Sequence, residues 1–135
     1  MTQAKTLPDV EGPIRAYLRA LAITGIGTRV FLGVPERATY PLVDMTLLDG
    51  GVQPGESPLA AVYVSCSVWG GARQATAAAA WDLVSKLEST ASGTPFGLTL
   101  VCMGASVVLG PLWRPDPADG RPRYIVDAQI TVRPV

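Results

Sequence analysis

The sequence predicts an α+β domain in which an antiparallel or mixed β-sheet of about five strands carries two main helices packed on one face. Two segments, Val10–Ile23 and Arg73–Thr90, repeat apolar residues at helical spacing. The last segment, Arg123–Arg133, alternates apolar and polar residues with a period of two, which is typical of a half-buried strand. The elements run helix, strands, helix, strands, and this order is not the regular alternation of a parallel βαβ fold.

The first helix is predicted over Val10–Ile23. Asp9 is a suitable N-cap residue, and Glu11 follows in the first turn, where the helix dipole favours a negative charge. Gly25 and Gly27 are expected to end the element.

Three strands are predicted between the helices, over Thr28–Val34, Tyr40–Leu48 and Leu59–Trp69. Pro41 has no N–H and therefore belongs at the beginning of its strand or on a sheet edge. The polar segment Asp49–Pro58, with two prolines and three glycines, is predicted to be a loop. The third strand has an aliphatic face and a polar, aromatic face. The aliphatic face consists of Val62, Val64, Cys66 and Val68, and the other of Tyr63, Ser65, Ser67 and Trp69.

The second helix has the stronger pattern because its alanine-rich beginning has a high helix propensity. Asp82 and Lys86 form an i, i+4 pair in the favourable orientation. The expected packing stripe consists of Ala77, Ala80, Trp81, Val84 and Leu87.

The C-terminal third predicts a long, kinked strand over Leu98–Leu112, then a hairpin and the last strand. Gly104 and Gly110 interrupt the first of these strands, and glycines inside strands often mark bulges. Asp119-Gly120 is a hairpin signal. In the last strand, the apolar face consists of Tyr124, Val126, Ala128, Ile130 and Val132.

Length and composition predict one domain over residues 1–135, with residues 1–8 as a flexible arm. Eleven basic and eleven acidic residues give no net charge, which argues against a dedicated nucleic-acid binder. Only 16% of residues are charged and mean hydropathy is +0.29, whereas soluble domains average about 25% charged residues. We therefore expect exposed apolar surface that contacts other subunits, although abundant alanine and valine also raise the hydropathy.

Cys66 and Cys102 both lie in apolar runs and are interpreted as small buried side chains. The N-terminal residues have no apolar core of a secretory signal, and no run reaches the length of a membrane span. We therefore expect assembly in a cytosol.

The sequence does not predict an enzyme, a catalytic residue, a cofactor or a metal site. The chain has no histidine, which is the commonest general base and transition-metal ligand. The run Gly25–Val30 lacks the third glycine of a dinucleotide-binding fingerprint and leads from helix to strand. Asp116 and Asp119 lie in a Pro/Gly turn, where aspartate is favoured by its bonds to the backbone.

The region around the last hairpin supplies the candidate contact residues. Its arginines are consistent with a solvated turn, with a contact to an acidic surface of a neighbouring subunit, or less readily with phosphate. Arg123 and Asp127 share one face of the last strand and are interpreted as a surface or interface ion pair. The candidate subunit-interface residues are Arg114, Asp116, Arg121, Arg123, Asp127 and Arg133.

Several segments together resemble the tail terminator, or tail completion, proteins of long-tailed siphophages. The resemblance covers most of the chain after about residue 9 and depends on the order of weak motifs. These are Thr24-Gly25-Ile26-Gly27, Arg29-Val30-Phe31, Tyr40-Pro41-Leu42-Val43, the helix Arg73–Leu87, and Asp116-Pro117 followed by Asp119-Gly120-Arg121-Pro122-Arg123-Tyr124 and Thr131-Val132-Arg133. High alanine, glycine and arginine content without asparagine is typical of a GC-rich genome, such as that of an actinobacteriophage.

The resemblance implies a structural virion protein of the tail or neck, assembled in the host cytoplasm. Six copies would form a ring that caps the tail tube, ends tail elongation and joins the tail to the head connector. The implied partners are the tail tube protein and the connector or head-closure protein, and the genome DNA would pass through the lumen without specific binding. The 50–57 loop matches no feature of the family.

Two other functions remain open at this stage. One is a head-closure, neck or tail-tube subunit, although a tube subunit normally has more strand. The other is a small-ligand binding domain with Tyr63, Trp69 and Trp81 around a pocket.

Overall fold

The computed structural model describes residues 10–48 and 60–135, and within them the chain is an α+β domain with two helices and a six-stranded mixed sheet. In chain order, the elements are α1 (Glu11–Ala20), β1 (Val30–Phe31), β2 (Leu42–Leu48), β3 (Ala60–Trp69), α2 (Arg73–Glu88), β4 (Thr94–Phe96), β5 (Leu100–Trp113) and β6 (Arg123–Pro134). The predicted fold class is confirmed. The predicted arm at residues 1–8, the N-cap residue Asp9 and the 50–57 loop lie outside the described residues.

The sheet has the strand order β1-β2-β3-β6-β5-β4. All neighbouring strands are antiparallel except β1 and β2, which are parallel. The long central strands β3, β6 and β5 form the middle of the sheet, and the short strands β1 and β4 lie at its two edges. The chain therefore builds the sheet mainly from antiparallel pairs. A crossover joins the parallel strands β1 and β2, and a second one carries the chain from β3 through α2 over β6 and β5 to the edge strand β4.

The hydrophobic core lies between one face of this sheet and the two helices. The predicted aliphatic face of β3 and the predicted apolar face of β6 both point into it. Ile14 and Leu18 of α1 and Leu83 and Leu87 of α2 cover these strands in one continuous cluster. The opposite face of the sheet has no helix over it within residues 10–48 and 60–135, and it is called the open face below.

The first helix is shorter than predicted at its C-terminal end. It ends at Ala20, because the chain leaves the helix at Ala22, which has a left-handed φ of 51°. The residue at the N-cap position is Val10, whose side chain makes no capping hydrogen bond. The glycines Gly25 and Gly27 therefore lie beyond the helix, in the turn that leads to β1.

The edges of the sheet differ most from the prediction. The strand predicted over Thr28–Val34 contains only the two residues of β1, after which the chain turns away and leaves Leu32 and Val34 exposed. A sixth strand, β4, lies between the second helix and β5, where no strand was predicted. Its Pro95 is compatible with an edge strand, and its Phe96 is buried against the ring of Tyr17, with 4.3 Å between the ring centroids.

The stripe of α2 that packs on the sheet is rotated from the predicted one. Its buried residues are Thr76, Ala79, Ala80, Leu83 and Leu87. Trp81 was predicted to pack inward and is instead 61% exposed on the outer side of the helix. The faces of an alanine-rich helix differ little in hydrophobicity. Which face is buried therefore depends on how closely the helix can pack on the sheet.

The predicted kinks in β5 are confirmed as irregularities in its pairing with β6. The register shifts between Cys102 and Gly104, between Val107 and Leu109, and between Leu109 and Leu112. The predicted hairpin joins β5 to β6 through residues 114–122. Within the two described ranges, no helix is long and apolar enough to cross a membrane.

Candidate functional site

The turn of the β5–β6 hairpin is held by its two aspartates. The Asp116 carboxylate accepts a hydrogen bond from the Ala118 backbone N–H at 2.8 Å, and that of Asp119 accepts one from the Arg121 N–H at 2.9 Å. Gly120, with φ of 72°, donates its N–H to the Asp116 carbonyl. The carboxylates therefore order the turn, as aspartates in such turns commonly do.

Three arginines at this end of the sheet stack on aromatic rings. The guanidinium carbon of Arg121 lies 3.9 Å from the centroid of Tyr40, and that of Arg123 lies 4.7 Å from Trp69. Arg73, at the beginning of α2, lies 4.2 Å from the centroid of Trp113. Each stack fixes the plane of a guanidinium group and removes one of its faces from water.

These three arginines and Arg114 form the arginine cluster. The Nε of Arg123 donates to the Arg114 carbonyl at 2.7 Å, and the Nε of Arg73 donates to the Tyr124 hydroxyl at 3.3 Å. Among the described residues, only Arg121 lies near a carboxylate, with 3.9 Å between its Nε and Oδ2 of Asp119. The cluster therefore carries an excess of positive charge and presents planar N–H groups that suit an anionic partner.

Asp127 and Arg133 lie apart from the arginine cluster. Residues 123 and 127 are four positions apart on one strand, about 13 Å, so Arg123 and Asp127 form no ion pair within the chain. Asp127 lies in the middle of the open face, and Arg133, near the end of β6, donates to the Pro134 carbonyl. The structure thus brings together four of the six predicted contact residues, Arg114, Asp116, Arg121 and Arg123.

The open face combines polar and apolar side chains in three cross-strand rows. The first row runs Asp44, Ser67, Ile125, Leu112; the second Thr46, Ser65, Asp127, Leu109; and the third Leu48, Tyr63, Gln129, Ser106. Oδ1 of Asp127 and Nε1 of Trp69 are buried without a hydrogen-bond partner among the described residues. A buried carboxylate oxygen without a hydrogen bond lowers the stability of the fold, and Asp127 places such an oxygen at the centre of the open face.

The aromatic residues proposed for a small-ligand pocket do not come together. Tyr63 and Trp69 lie on the open face of the sheet, six positions apart on β3. Trp81 lies on the outer side of α2, across the core from them. The predicted pocket of Tyr63, Trp69 and Trp81 is therefore wrong.

Both thiols are buried, as predicted. Burial first, and the nearby carboxylates of Asp127 and Asp44 in addition, raise the pKa of the Cys66 thiol to about 12. Burial also raises the pKa of the Cys102 thiol. A thiol that stays protonated is a poor nucleophile and metal ligand. Across residues 10–48 and 60–135, no three residues among the acids and cysteines gather as a metal site.

A shallow acidic pocket of about 290 Å³ lies along the outer edge of β2, beyond the end of β1. The charged residues of its lining are Glu11 of α1 and Asp44 of β2. The lining also includes Leu32, Gly33 and Thr46. The sequence does not predict this pocket, because the parallel pairing of β1 with β2 and the position of α1 bring Glu11 and Asp44 into one lining from 33 positions apart.

Comparison of the chain with protein-family models and with curated proteins finds no match to either.

Proposed function

We propose that this chain is a structural virion protein, one of six subunits of a ring that caps the tail tube of a long-tailed phage. The ring would end tail elongation and join the tail to the head connector. The proposal combines the resemblance of the sequence to tail terminator proteins with a surface that suits several protein neighbours.

The observation that carries the proposal is exposed apolar surface on opposite sides of a two-layer domain. Trp81, 61% exposed, lies on the outer side of the helical layer. Leu48, Tyr63 and Leu109 are exposed on the open face of the sheet. A neck subunit contacts two copies of itself, the tube below and the connector above, so it needs apolar contact surface on more than one side.

The charge distribution supports contacts with other proteins. The chain has no net charge, so close packing of copies is not opposed by repulsion. The arginine cluster is rigid and suits an acidic surface on a partner such as the tube protein or the connector. No nucleic-acid recognition is needed for a ring whose lumen only lets the genome pass.

The proposed function is tested on particles and on the purified chain. Phage lacking the gene should produce tails of uncontrolled length that do not join heads, and plasmid-borne wild-type gene should restore joining. Native mass measurement of the purified chain, alone or with tube ends, should give a species of six 14.2 kDa chains. Joined tails of normal length in the deletion strain would contradict the proposal.

A matched pair of variants tests the apolar surface. Trp81→Gln should leave the fold intact, because the side chain lies outside the core, but should reduce rescue of tail joining. Thr99→Gln changes an exposed polar side chain in the turn between β4 and β5, removes no large apolar surface, and should rescue normally. Equal rescue by both variants would remove the helical side from the contact surface.

A further inference from the structure

The arginine cluster lies on both sides of the end of the sheet at which β5 ends and β6 begins. Arg123 is directly opposite Trp69 on the neighbouring strand, and its guanidinium group lies over that ring on the open face. Tyr124, the next residue of β6, packs on the core side, where its hydroxyl accepts a hydrogen bond from Arg73 of α2. The cluster therefore extends from the open face, around the end of the sheet, to the beginning of the helical layer.

The guanidinium groups of the cluster are held by contacts that leave most of their N–H groups unused. Within the described residues, Arg73 and Arg123 donate hydrogen bonds only through Nε, and Arg121 approaches Asp119 through Nε at 3.9 Å. The side chain of Arg114 is exposed and makes no hydrogen bond with a described residue. A guanidinium group has five N–H donors. The terminal nitrogens of all four arginines therefore remain for a partner.

The stacked geometry favours a partner that carries carboxylate groups. The rings of Trp113, Tyr40 and Trp69 fix the planes of three guanidinium groups, with 4.2, 3.9 and 4.7 Å between each ring centroid and the guanidinium carbon above it. A planar guanidinium group matches the two oxygens of a carboxylate in a pair of parallel hydrogen bonds. Because the planes are already set, little side-chain entropy is lost when such a pair forms.

The surroundings of the cluster favour carboxylates over the phosphates of a nucleic acid. Asp116 and Asp119 lie in the turn between Arg114 and Arg121, and the side chain of Asp119 is 56% exposed. These negative charges repel a closely spaced row of phosphates more strongly than they repel separate carboxylates. The chain also has no net charge, whereas nucleic-acid binding depends on basic residues that neutralise several phosphates at once.

A second copy of this chain does not offer a suitable acidic segment. The eleven acidic residues of the sequence are never adjacent, and the closest pairs are Asp9 with Glu11 and Asp116 with Asp119. Glu11 is the first residue of α1, so the first pair does not belong to an extended segment. The carboxylates of the second pair are bound within their own turn. The partner is therefore expected to be a different protein.

We propose that the arginine cluster binds an extended acidic segment of another virion protein, which lies across the end of the sheet. Two or more aspartate or glutamate side chains of this segment pair with the cluster, one with Arg114 and Arg123 and another with Arg73. This inference rests on the proposed function, in which the subunit has the tube protein and the connector as neighbours. It adds the chemistry by which one of those neighbours is recognised.

Peptide binding followed by tryptophan fluorescence tests the proposal on the purified chain. Trp81→Phe removes the tryptophan on the outer side of α2, so the signal comes from Trp69 and Trp113, on which arginines of the cluster stack. A short peptide of alternating glutamate and serine should change this fluorescence until the site is saturated. The same peptide with glutamine in place of glutamate should not. Equal binding of the two peptides would overturn the proposal.

Arginine variants locate the binding. Arg114→Gln should lower the affinity for the glutamate peptide about tenfold, the effect of losing one charge-assisted hydrogen-bonded pair, and should leave the urea midpoint unchanged. Arg114→Lys keeps the charge but not the planar pair of donors, so it should recover only part of the loss. Arg133→Gln changes an arginine ten positions farther along β6 than Arg123 and should bind as the wild type does. Equal affinities of Arg114→Gln and Arg133→Gln would overturn the proposed site.

A nucleic-acid probe separates carboxylates from phosphates in the same titration. The probe is a single-stranded oligonucleotide with the same charge as the glutamate peptide, measured at the same salt concentration. It should bind more weakly than the peptide. Tighter binding of the oligonucleotide would overturn the proposal in favour of a contact with the genome.

Carbodiimide coupling identifies the partner in intact particles. Arg114→Lys places in the cluster an amine that couples directly to a carboxylate in contact with it, and the sequence has only two lysines of its own, Lys5 and Lys86. The expected product links position 114 to an aspartate or glutamate in an acid-rich segment of another virion protein. A link to a second copy of the chain, or no link from position 114, would overturn the proposal.

Failure of this inference is distinguishable from failure of the proposed function. Overlong tails that do not join heads in the deletion strain, together with a chain that binds no glutamate peptide, would overturn the inference and leave the function in place. Joined tails of normal length in that strain would contradict the proposed function, whatever the peptide titration shows.

Discussion

The Glu88 carboxylate accepts a hydrogen bond from the Val107 backbone N–H, with 2.8 Å between Oε1 and the nitrogen. Glu88 is the last residue of α2, where the helix dipole disfavours a negative charge. Val107 lies on β5 within the stretch of its outer edge that β4 does not cover. A helix residue therefore occupies one backbone donor of a strand edge, a device that opposes unwanted pairing.

Replacing this carboxylate should change both stability and association. Glu88→Ala removes the acceptor of the Val107 N–H and should lower the free energy of unfolding by about 1 kcal/mol. The freed donor should also raise the fraction of associated chains at a given concentration. Urea denaturation and light scattering measure the two effects. Ser85→Ala, on an exposed position of the same helix, is the control. Unchanged association of Glu88→Ala would show that this carboxylate does not guard the edge.

Gly70 should tolerate no side chain. A β-carbon built there would overlap the Thr76 hydroxyl, which is fully buried and donates to the Ala72 carbonyl at 2.6 Å. Gly70→Ala should therefore lower the free energy of unfolding by about 1–3 kcal/mol, as overpacking in a core does. Gly71→Ala meets no atom within 4 Å and should be near neutral. Equal urea midpoints for both variants would mean that Thr76 moves aside easily.

The parts of the fold that the sequence predicted are those with strong periodic contrast. β3 and β6 alternate apolar and polar residues over most of their length, so their core faces could be named in advance. The phase of α2 could not, because a run of alanines presents nearly the same side chain in every direction. The short edge strands β1 and β4 were misjudged because their residues pair only where tertiary contacts allow it.

The candidate site also contains one part that the sequence predicted and one part that it did not. Arg114, Asp116, Arg121 and Arg123 come together because one hairpin turn joins them, and the sequence shows that turn directly. Arg73, Trp69 and Tyr40 join them from three other elements, and only the strand order reveals this. Asp127 and Arg133 share a strand face with Arg123. They still lie apart, because they are four and ten positions further along the extended strand β6.

Asp82 should make stability depend on pH in the acid range. The Thr24 backbone N–H donates to its carboxylate at 2.8 Å, and Lys86 lies 2.9 Å away, confirming the predicted i, i+4 pair. The Thr24 bond first, and Lys86 in addition, lower the pKa of Asp82 below its ordinary value of 3.8. The charged carboxylate therefore stabilises the fold at any pH above about 3.8, and this stabilisation is lost as the pH falls through the lowered pKa of Asp82.

Asp82→Asn isolates this effect, because the amide oxygen can still accept from Thr24 but carries no charge. Its urea midpoint should lie below that of the wild type at neutral pH, and the two midpoints should converge as the pH falls to about 2. Asp119→Asn changes a turn carboxylate whose Oδ2 lies farther from its arginine, 3.9 Å, and it should show a smaller gap at neutral pH. A gap for Asp82→Asn that persists in acid would show that the charge is not its source.

Asp127 should show opposite effects on stability and on assembly. Its Oδ1 is buried without a partner among the described residues, so the charge is a cost to the isolated subunit. Asp127→Asn keeps the shape of the side chain and removes the charge, and it should raise the free energy of unfolding by about 1 kcal/mol. If Asp127 belongs to a subunit contact, as the sequence predicts, the same change should reduce the six-chain species in native mass spectra. Glu36→Gln removes one negative charge outside the sheet and should alter neither quantity. A less stable Asp127→Asn chain would mean that the carboxylate is stabilised within the subunit, and undiminished assembly would exclude Asp127 from the contact.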